Sequence, residues 1–159
     1  GNSWAHSVTT APEILTDMEG RPISAFVAGI GSGGTISGTG AILKAVWPAI
    51  HIVGVEPAGS PVLSGGEAGP HKIQGIGAGF APAVLKKEIL TEVKTVEDDA
   101  ALETTRWLAR THGLFCSIST GANVWAAIQT AKQFTPDDTV VTIACDRGGK
   151  YLSTEALKN

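Results

Sequence analysis

Cysteine, basic clusters and long apolar runs are scarce or missing in this sequence, and each absence closes a class of function. Its two cysteines, Cys116 and Cys145, lie far apart without CxxC or Cys/His ligand spacing. Neither a zinc site nor a disulfide framework is indicated, and both are expected as small buried side chains. No Lys/Arg cluster stands out and the formal charge is −3, so the electrostatic footprint of a nucleic-acid binder is missing. No apolar run approaches the ~18 residues of a membrane span, and the first residues carry no charged-then-apolar signal. The expectation is a soluble, cytoplasmic protein without membrane partners. The histidines fall in neither HExxH nor a Ser-His-Asp order, and the pairs Asp98-Asp99 and Asp137-Asp138 read as solvated carboxylates. The residues by themselves offer no persuasive nucleophile or base.

What is present fits one α/β domain over 1–159. With 159 residues, 43% of them apolar, a packed core needs no metal or disulfide. Twenty glycines beside only 6% aromatics suit glycine-rich connections between strands and helices. A helix is expected within 1–20, with Pro12 in a first turn, Glu13 near the positive end and Gly20 as terminator. The apolar run 25–28 reads as a strand, 36–47 as a helix stopped by Pro48, and 51–56 as a second strand closed by Pro57. Strand, glycine turn, helix and strand make a βαβ unit with parallel neighbours. The Gly- and Pro-rich 58–82 shows no periodicity, and a loop of that length within a domain is usually functional or mobile.

Further along, 90–96 reads as a short strand. Thr95 with Asp98 resembles a capping box for a helix over 96–112, with Ala101, Leu108 and His112 along one face and Gly113 as its stop. A helix after Ser119, its expected N-cap, carries the apolar stripe Val124, Ala127, Ile128 and Ala131 and ends before Pro136. The β-branched run 139–144 is long enough for a buried parallel strand, and Asp146 and Arg147 follow it as turn residues.

The stretch Gly29-Ile30-Gly31-Ser32-Gly33-Gly34-Thr35 sits where the first strand turns into a helix. A helix start offers unpaired N–H groups and the positive end of the macrodipole, and residues without Cβ let that backbone close on a phosphate. Gly29, Gly31 and Gly34 fit G-x-G-x-x-G, with Glu56 about where a dinucleotide fingerprint expects its ribose-binding acid. Ser32 and Thr35 instead put two hydroxyls into a turn of small residues, a composition suited to one terminal phosphate monoester. Ser119 has two open roles as well: a helix cap, or a hydroxyl reaching a ligand at the C-terminal edge of the sheet.

Several segments together resemble the cysteine synthase (O-acetylserine sulfhydrylase) family, pyridoxal-phosphate enzymes of fold type II. They are Thr9-Thr10-Ala11-Pro12-Glu13-Ile14, Ala28 to the Thr35 end of the glycine turn, Val55-Glu56-Pro57, His71-Lys72-Ile73-Gln74-Gly75-Ile76-Gly77-Ala78-Gly79-Phe80, Ile118-Ser119-Thr120-Gly121-Ala122 and Gly148-Gly149-Lys150-Tyr151-Leu152-Ser153-Thr154. They occur in family order and with family-like spacing. The resemblance implies a parallel sheet flanked by helices, the larger-domain half of a fold similar to the tryptophan synthase β chain. By it, Gly31, Ser32, Gly33, Gly34 and Thr35 cradle the 5′-phosphate of pyridoxal 5′-phosphate. Ser119 hydrogen-bonds the pyridine nitrogen, and Gly75 lies beside the substrate at its entrance. A neutral hydroxyl at that nitrogen leaves the ring unprotonated and suits β-elimination and replacement.

The implied reaction joins sulfide to an O-activated L-serine, O-acetyl-L-serine among the options, giving L-cysteine; a cystathionine β-synthase-type reaction is the alternative. The motifs that carry the family's Schiff-base lysine and its substrate-carboxylate loop are absent from this chain. None of Lys44, Lys72, Lys86, Lys87, Lys94, Lys132, Lys150 or Lys158 stands in the lysine motif. The chain therefore resembles the C-terminal half of such an enzyme, expected to be inactive alone, to partner an N-terminal half and to dimerise. Ser117 and Thr120 stand where many relatives have Gly and Ser, and Cys145-Asp146-Arg147 resembles the B-type isozymes.

Overall fold

In the computed structural model, which describes residues 1–151, four parallel strands form one sheet in the order β3-β2-β1-β4. β1 (Ala25–Gly29) pairs with β2 (His51–Pro57) from Ala25 opposite His51 to Gly29 opposite Val55. β4 (Val140–Thr142) lies on the other side of β1, and β3 (Glu92–Val96) on the outer side of β2. Side chains alternate across the pleat, so Phe26, Ala28 and Ile52 enter one apolar layer and Val27, Val53 and Val55 the other. A strand buried on both faces reads as an unbroken apolar run, which is why 25–28 shows no polar alternation.

The first layer is closed by α3 (Gly34–Val46), which contributes Ile36 and Leu43, and the second by α4 (Asp98–His112) and α5 (Ile118–Ala131), with Ala101, Ile118, Ala122 and Ala126. Each fully buried Val, Ile or Leu contributes about 1.5–3 kcal/mol. No regular helix or strand occurs over 58–82; the chain turns repeatedly until a short 3₁₀ turn, Lys87–Ile89.

Several local expectations need correction. The N-terminal helix is two, α1 (Asn2–Val8) and α2 (Thr10–Asp17), broken at Thr9 with φ −123° and ψ −74°. A continuous helix would set the Pro12 ring against the Val8 carbonyl, four residues back, and Pro12 has no N–H to offer it. The capping box at Thr95 does not form: α4 starts after Glu97 without a side-chain cap, and Asp98 instead accepts the Lys72 N–H at 2.8 Å. His112 is exposed and meets Trp107 edge-on, while Thr105 joins Ala101 and Leu108 inside.

The buried stripe of α5 runs through Ile118, Ala122, Ala126 and Thr130, and Ile128 is 42% exposed. The larger side chains misled the phase, because α4 and α5 approach over small residues: a Cβ on Gly121 would overlap Thr105 Oγ1 and the Ala101 carbonyl. β4 is only Val140–Thr142, half-buried, and among the described residues it pairs in the sheet with β1 alone. A β-branched run reads alike at an edge and at a centre.

Candidate anion cradle and adjoining cleft

The glycine turn is built by close backbone approach. Ile30 N–H bonds the Val55 carbonyl at 2.9 Å, carrying the chain past the end of β1. A Cβ on Gly31 would overlap the carbonyl oxygen of Gly75, and Gly33 holds φ +81° as the N-cap of α3, a left-handed conformation that strains residues with a side chain. Ser37 N–H is satisfied by Gly33 O at 3.1 Å, but the N–H groups of Gly33, Thr35 and Ile36 have no acceptor among the described residues. Bare donors at the positive end of a 13-residue helix form an anion site.

The hydroxyls around this cradle are oriented by α1. Asn2 Nδ2 donates to Ser32 Oγ at 2.7 Å, leaving the serine proton for another acceptor. His6 Nε2 lies 3.2 Å from Thr35 Oγ1, and its Nδ1 lies 2.9 Å from Thr10 Oγ1. Asn2 and His6 share one helix face at i, i+4 spacing, a signal the sequence offered and the motif reading passed over.

Glu56 does not face the cradle as a free acid. It is 1% exposed, and its two carboxylate oxygens accept the N–H groups of Leu63 and Ser64, each at 2.8 Å. The ribose role expected of it on a dinucleotide reading is therefore corrected: both oxygens are spent folding the following loop.

The structure brings Gly75, the cradle and the start of α5 to one place, the carboxyl edge of the sheet, where open α/β sheets bind ligands. Gly77 N–H bonds the Ile30 carbonyl at 3.0 Å, seating the Gly75 loop on the glycine turn. Asn123 reaches across from α5: its Oδ1 accepts Gly29 N–H at 2.8 Å and its Nδ2 donates to the Ile143 carbonyl at 2.9 Å. Nothing in the sequence marked Asn123, because its partner on β1 is 94 positions away.

Ser119 is not the N-cap of α5. That role belongs to Ser117, whose Oγ accepts Thr120 N–H at 3.3 Å. Ser119 stands in the first helical turn, 5% exposed, with its Oγ 2.9 Å from that of Ser117. Beside this turn lies a cleft of about 430 Å³ lined by Leu114, Phe115, Cys116, Thr120, Val124 and Cys145 among others.

Cys116 is buried as expected, whereas Cys145 is exposed. The Cys145 sulfur nonetheless packs against α5, 3.4 Å from Asn123 Nδ2. Burial pushes both thiols up from their ordinary pKa, against the opposing contact of Thr120 with Cys116 and of Ser119 with Cys145. Asp146 and Arg147 are exposed, in keeping with turn residues, and their backbone is stitched to the α5 start through Ser117 N–H to Asp146 O at 3.0 Å. The final motif residues Leu152, Ser153 and Thr154 lie outside the described residues.

The family model described as "Pyridoxal-phosphate dependent enzyme" matches residues 2–146. A protein named cysteine synthase B from Campylobacter jejuni is 53% identical over 154 residues, 97% of this chain and 50% of the relative. The crystal structure of O-acetyl serine sulfhydrylase isoform 3 from Entamoeba histolytica superposes with a TM-score of 0.93 at 38% identity, over 99% of this chain and 47% of that one. An O-acetylserine dependent cystathionine beta-synthase from Helicobacter pylori superposes equally, with a TM-score of 0.93 at 42% identity over 98% of this chain and 50% of the other. The chain spans about half the length of the curated relatives it matches. No helix among the described residues is long and apolar enough to cross a membrane.

Proposed function

Because the chain belongs to the pyridoxal-phosphate dependent enzyme family, we propose that it is the phosphate-gripping half of a cysteine synthase, which makes L-cysteine from an O-activated L-serine and sulfide. The observation that carries this reading is the cradle: three backbone N–H groups without an acceptor among the described residues, two oriented hydroxyls, and a Gly31 on which any Cβ would overlap the Gly75 carbonyl. That donor set fits a phosphate monoester. Bound there, pyridoxal phosphate supplies the electron sink that amino-acid β-replacement requires.

In this reading Gly33, Thr35 and Ile36 bind the phosphate through their N–H groups, and Ser32 and Thr35 add hydroxyl donors. Ser119 holds the pyridine nitrogen with a neutral hydroxyl, and Gly75, seated on the glycine turn, forms the wall past which substrate enters. The proton shuttle and the lysine come from an N-terminal half. Exposed apolar side chains, Trp4 at 67%, Phe80 at 63% and Leu114 at 56%, suit cover by that half or by a second copy in a homodimer. The two free thiols suit a cytoplasmic location, where thiols stay reduced.

The test is twofold. Pyridoxal phosphate titrated into the chain binds with competition by inorganic phosphate, and Gly33→Asp, which adds a like charge and a strained backbone, removes the binding. Supplementing the chain with a separately expressed N-terminal half restores cysteine formation from O-acetyl-L-serine and sulfide. Binding of NAD(H) in place of pyridoxal phosphate, or turnover by the chain alone, overturns the reading.

A further inference from the structure

The start of α5 holds three hydroxyls in contact. Ser117 Oγ lies 2.9 Å from Ser119 Oγ and 3.1 Å from Thr120 Oγ1, and all three residues are at most 5% exposed. Two backbone donors feed the cluster: Cys145 N–H bonds Thr120 Oγ1 at 3.0 Å, and Thr120 N–H bonds Ser117 Oγ at 3.3 Å. These donors bias the direction of the hydroxyl protons.

Thr120 Oγ1 accepts the Cys145 N–H, and its own proton has two kinds of acceptor in reach, the Ser117 oxygen and the cysteine sulfurs, of which the oxygen is the stronger, so that proton turns to Ser117. Ser117 Oγ then accepts from both the N–H and the O–H of Thr120, and its remaining proton goes to Ser119, the nearer oxygen. Ser119 Oγ, loaded as an acceptor, keeps its own proton for something outside the cluster. Within the described structure its other neighbour is the Cys145 sulfur, a weak acceptor that a ring nitrogen would outcompete.

We propose that Ser117 is a positioning residue, and that the relay Thr120 to Ser117 to Ser119 fixes Ser119 as a hydrogen-bond donor toward the pyridine nitrogen of the cofactor. The proposal rests on the pyridoxal-phosphate reading above and deepens it. Ordered chains of hydroxyls polarise one another, so the terminal donor is stronger than an isolated serine. Where a glycine replaces Ser117 the relay has no middle member, which makes the donor strength at the ring nitrogen a property of this chain's own Ser117.

The experiment uses the cofactor-loaded protein that contains this chain, with pyridoxal phosphate labelled with nitrogen-15 in the ring. The readouts are the nitrogen-15 and phosphorus-31 resonances of the bound cofactor. Ser119→Ala is expected to move the nitrogen resonance toward that of a ring without a donor. Ser117→Ala moves it in the same direction by less, Ser117→Thr restores it, and the phosphorus resonance stays in place throughout. An unmoved nitrogen resonance in Ser117→Ala, a shift toward a stronger donor, or a shift that Ser117→Thr does not rescue overturns the relay. A silent Ser119→Ala overturns the ring-nitrogen contact itself and the relay with it.

Discussion

Replacing Glu56 by glutamine separates two readings of the same residue. The carboxylate is 1% exposed and accepts two backbone N–H bonds at 2.8 Å, from Leu63 and Ser64. Hydrogen bonds to a charged group contribute roughly 1.5–3 kcal/mol each. Glutamine keeps the shape and one acceptor oxygen, but its NH₂ group confronts the second N–H as another donor. One bond is lost and a buried donor is left unpaired, while removal of a buried charge returns part of its desolvation cost. The balance is a loss of about 2 kcal/mol, or roughly 4–8 °C in Tm for a domain of this size.

The assay is thermal and urea denaturation of the wild type, Glu56→Gln and Glu56→Ala, with amide hydrogen exchange at Leu63 and Ser64 as the local reporter. One of the two amides should lose protection in Glu56→Gln and both in Glu56→Ala, which should be the less stable of the two variants. A Glu56→Gln protein within about 0.5 kcal/mol of wild type, the spread of ordinary surface changes, with unchanged exchange at both amides, refutes the reasoning. It would return Glu56 to the pool of ligand-facing acids.

Gly31→Ala is expected to weaken pyridoxal-phosphate binding about tenfold or more, a change worth ~1.4 kcal/mol, because the new Cβ would overlap the backbone carbonyl of Gly75, which cannot swing aside as a side chain would; equilibrium titration checks it, with circular dichroism confirming an intact fold. Asp138 accepts from Ser24 Oγ at 2.5 Å and from the N–H and Oγ1 of Thr135 at 2.9 and 2.7 Å, and these bonds, the Ser24 hydroxyl foremost, hold its carboxyl below the usual aspartate range. A depressed folded-state pKa means stabilisation present above the unfolded value, about pH 3.9, and lost as pH falls through the folded one; Asp138→Asn should therefore flatten the acid end of the Tm–pH curve, and an unchanged acid limb counts against it.

The βαβ core was legible because its signals are local. Apolar runs bounded by glycine and proline give β1, α3 and β2, and the glycines of the turn mark a backbone approach that the Gly31–Gly75 contact explains. What escaped depends on partners distant in sequence or on choices between adjacent residues. Ser117 and Ser119 are equally good caps by type, and only the bond to Thr120 N–H decides between them. Glu56 at the end of β2 looks the same whether it faces a ribose or two amides of its own loop. Asn123 looks like an ordinary polar helix residue until Gly29 is placed beside it. The stripe of α5 was misread because Gly121 and Ala122, too small to register as hydrophobic signals, are what lets α4 approach.

α3 and α5 cover opposite faces of the sheet, and both point their N-termini at its carboxyl edge. The two termini are finished differently. At α3 the cap is a left-handed glycine with no side chain; Gly34 N–H reaches only the Ser32 hydroxyl, at 3.5 Å, and the N–H groups of Gly33, Thr35 and Ile36 have no acceptor among the described residues, so the terminus keeps most of its attraction for a dianion. At α5 the Ser117 side chain takes up Thr120 N–H at 3.3 Å and the hydroxyls of Ser117, Ser119 and Thr120 fill the first turn, so part of that attraction is spent inside the protein and what the terminus offers a ligand is a hydroxyl. A ligand with one doubly charged end and one neutral acceptor would be sorted by this contrast alone, its charge drawn to α3 and its lone pair to α5. On the proposed reading, that sorting fixes which way the cofactor lies before any lysine from the other half takes part.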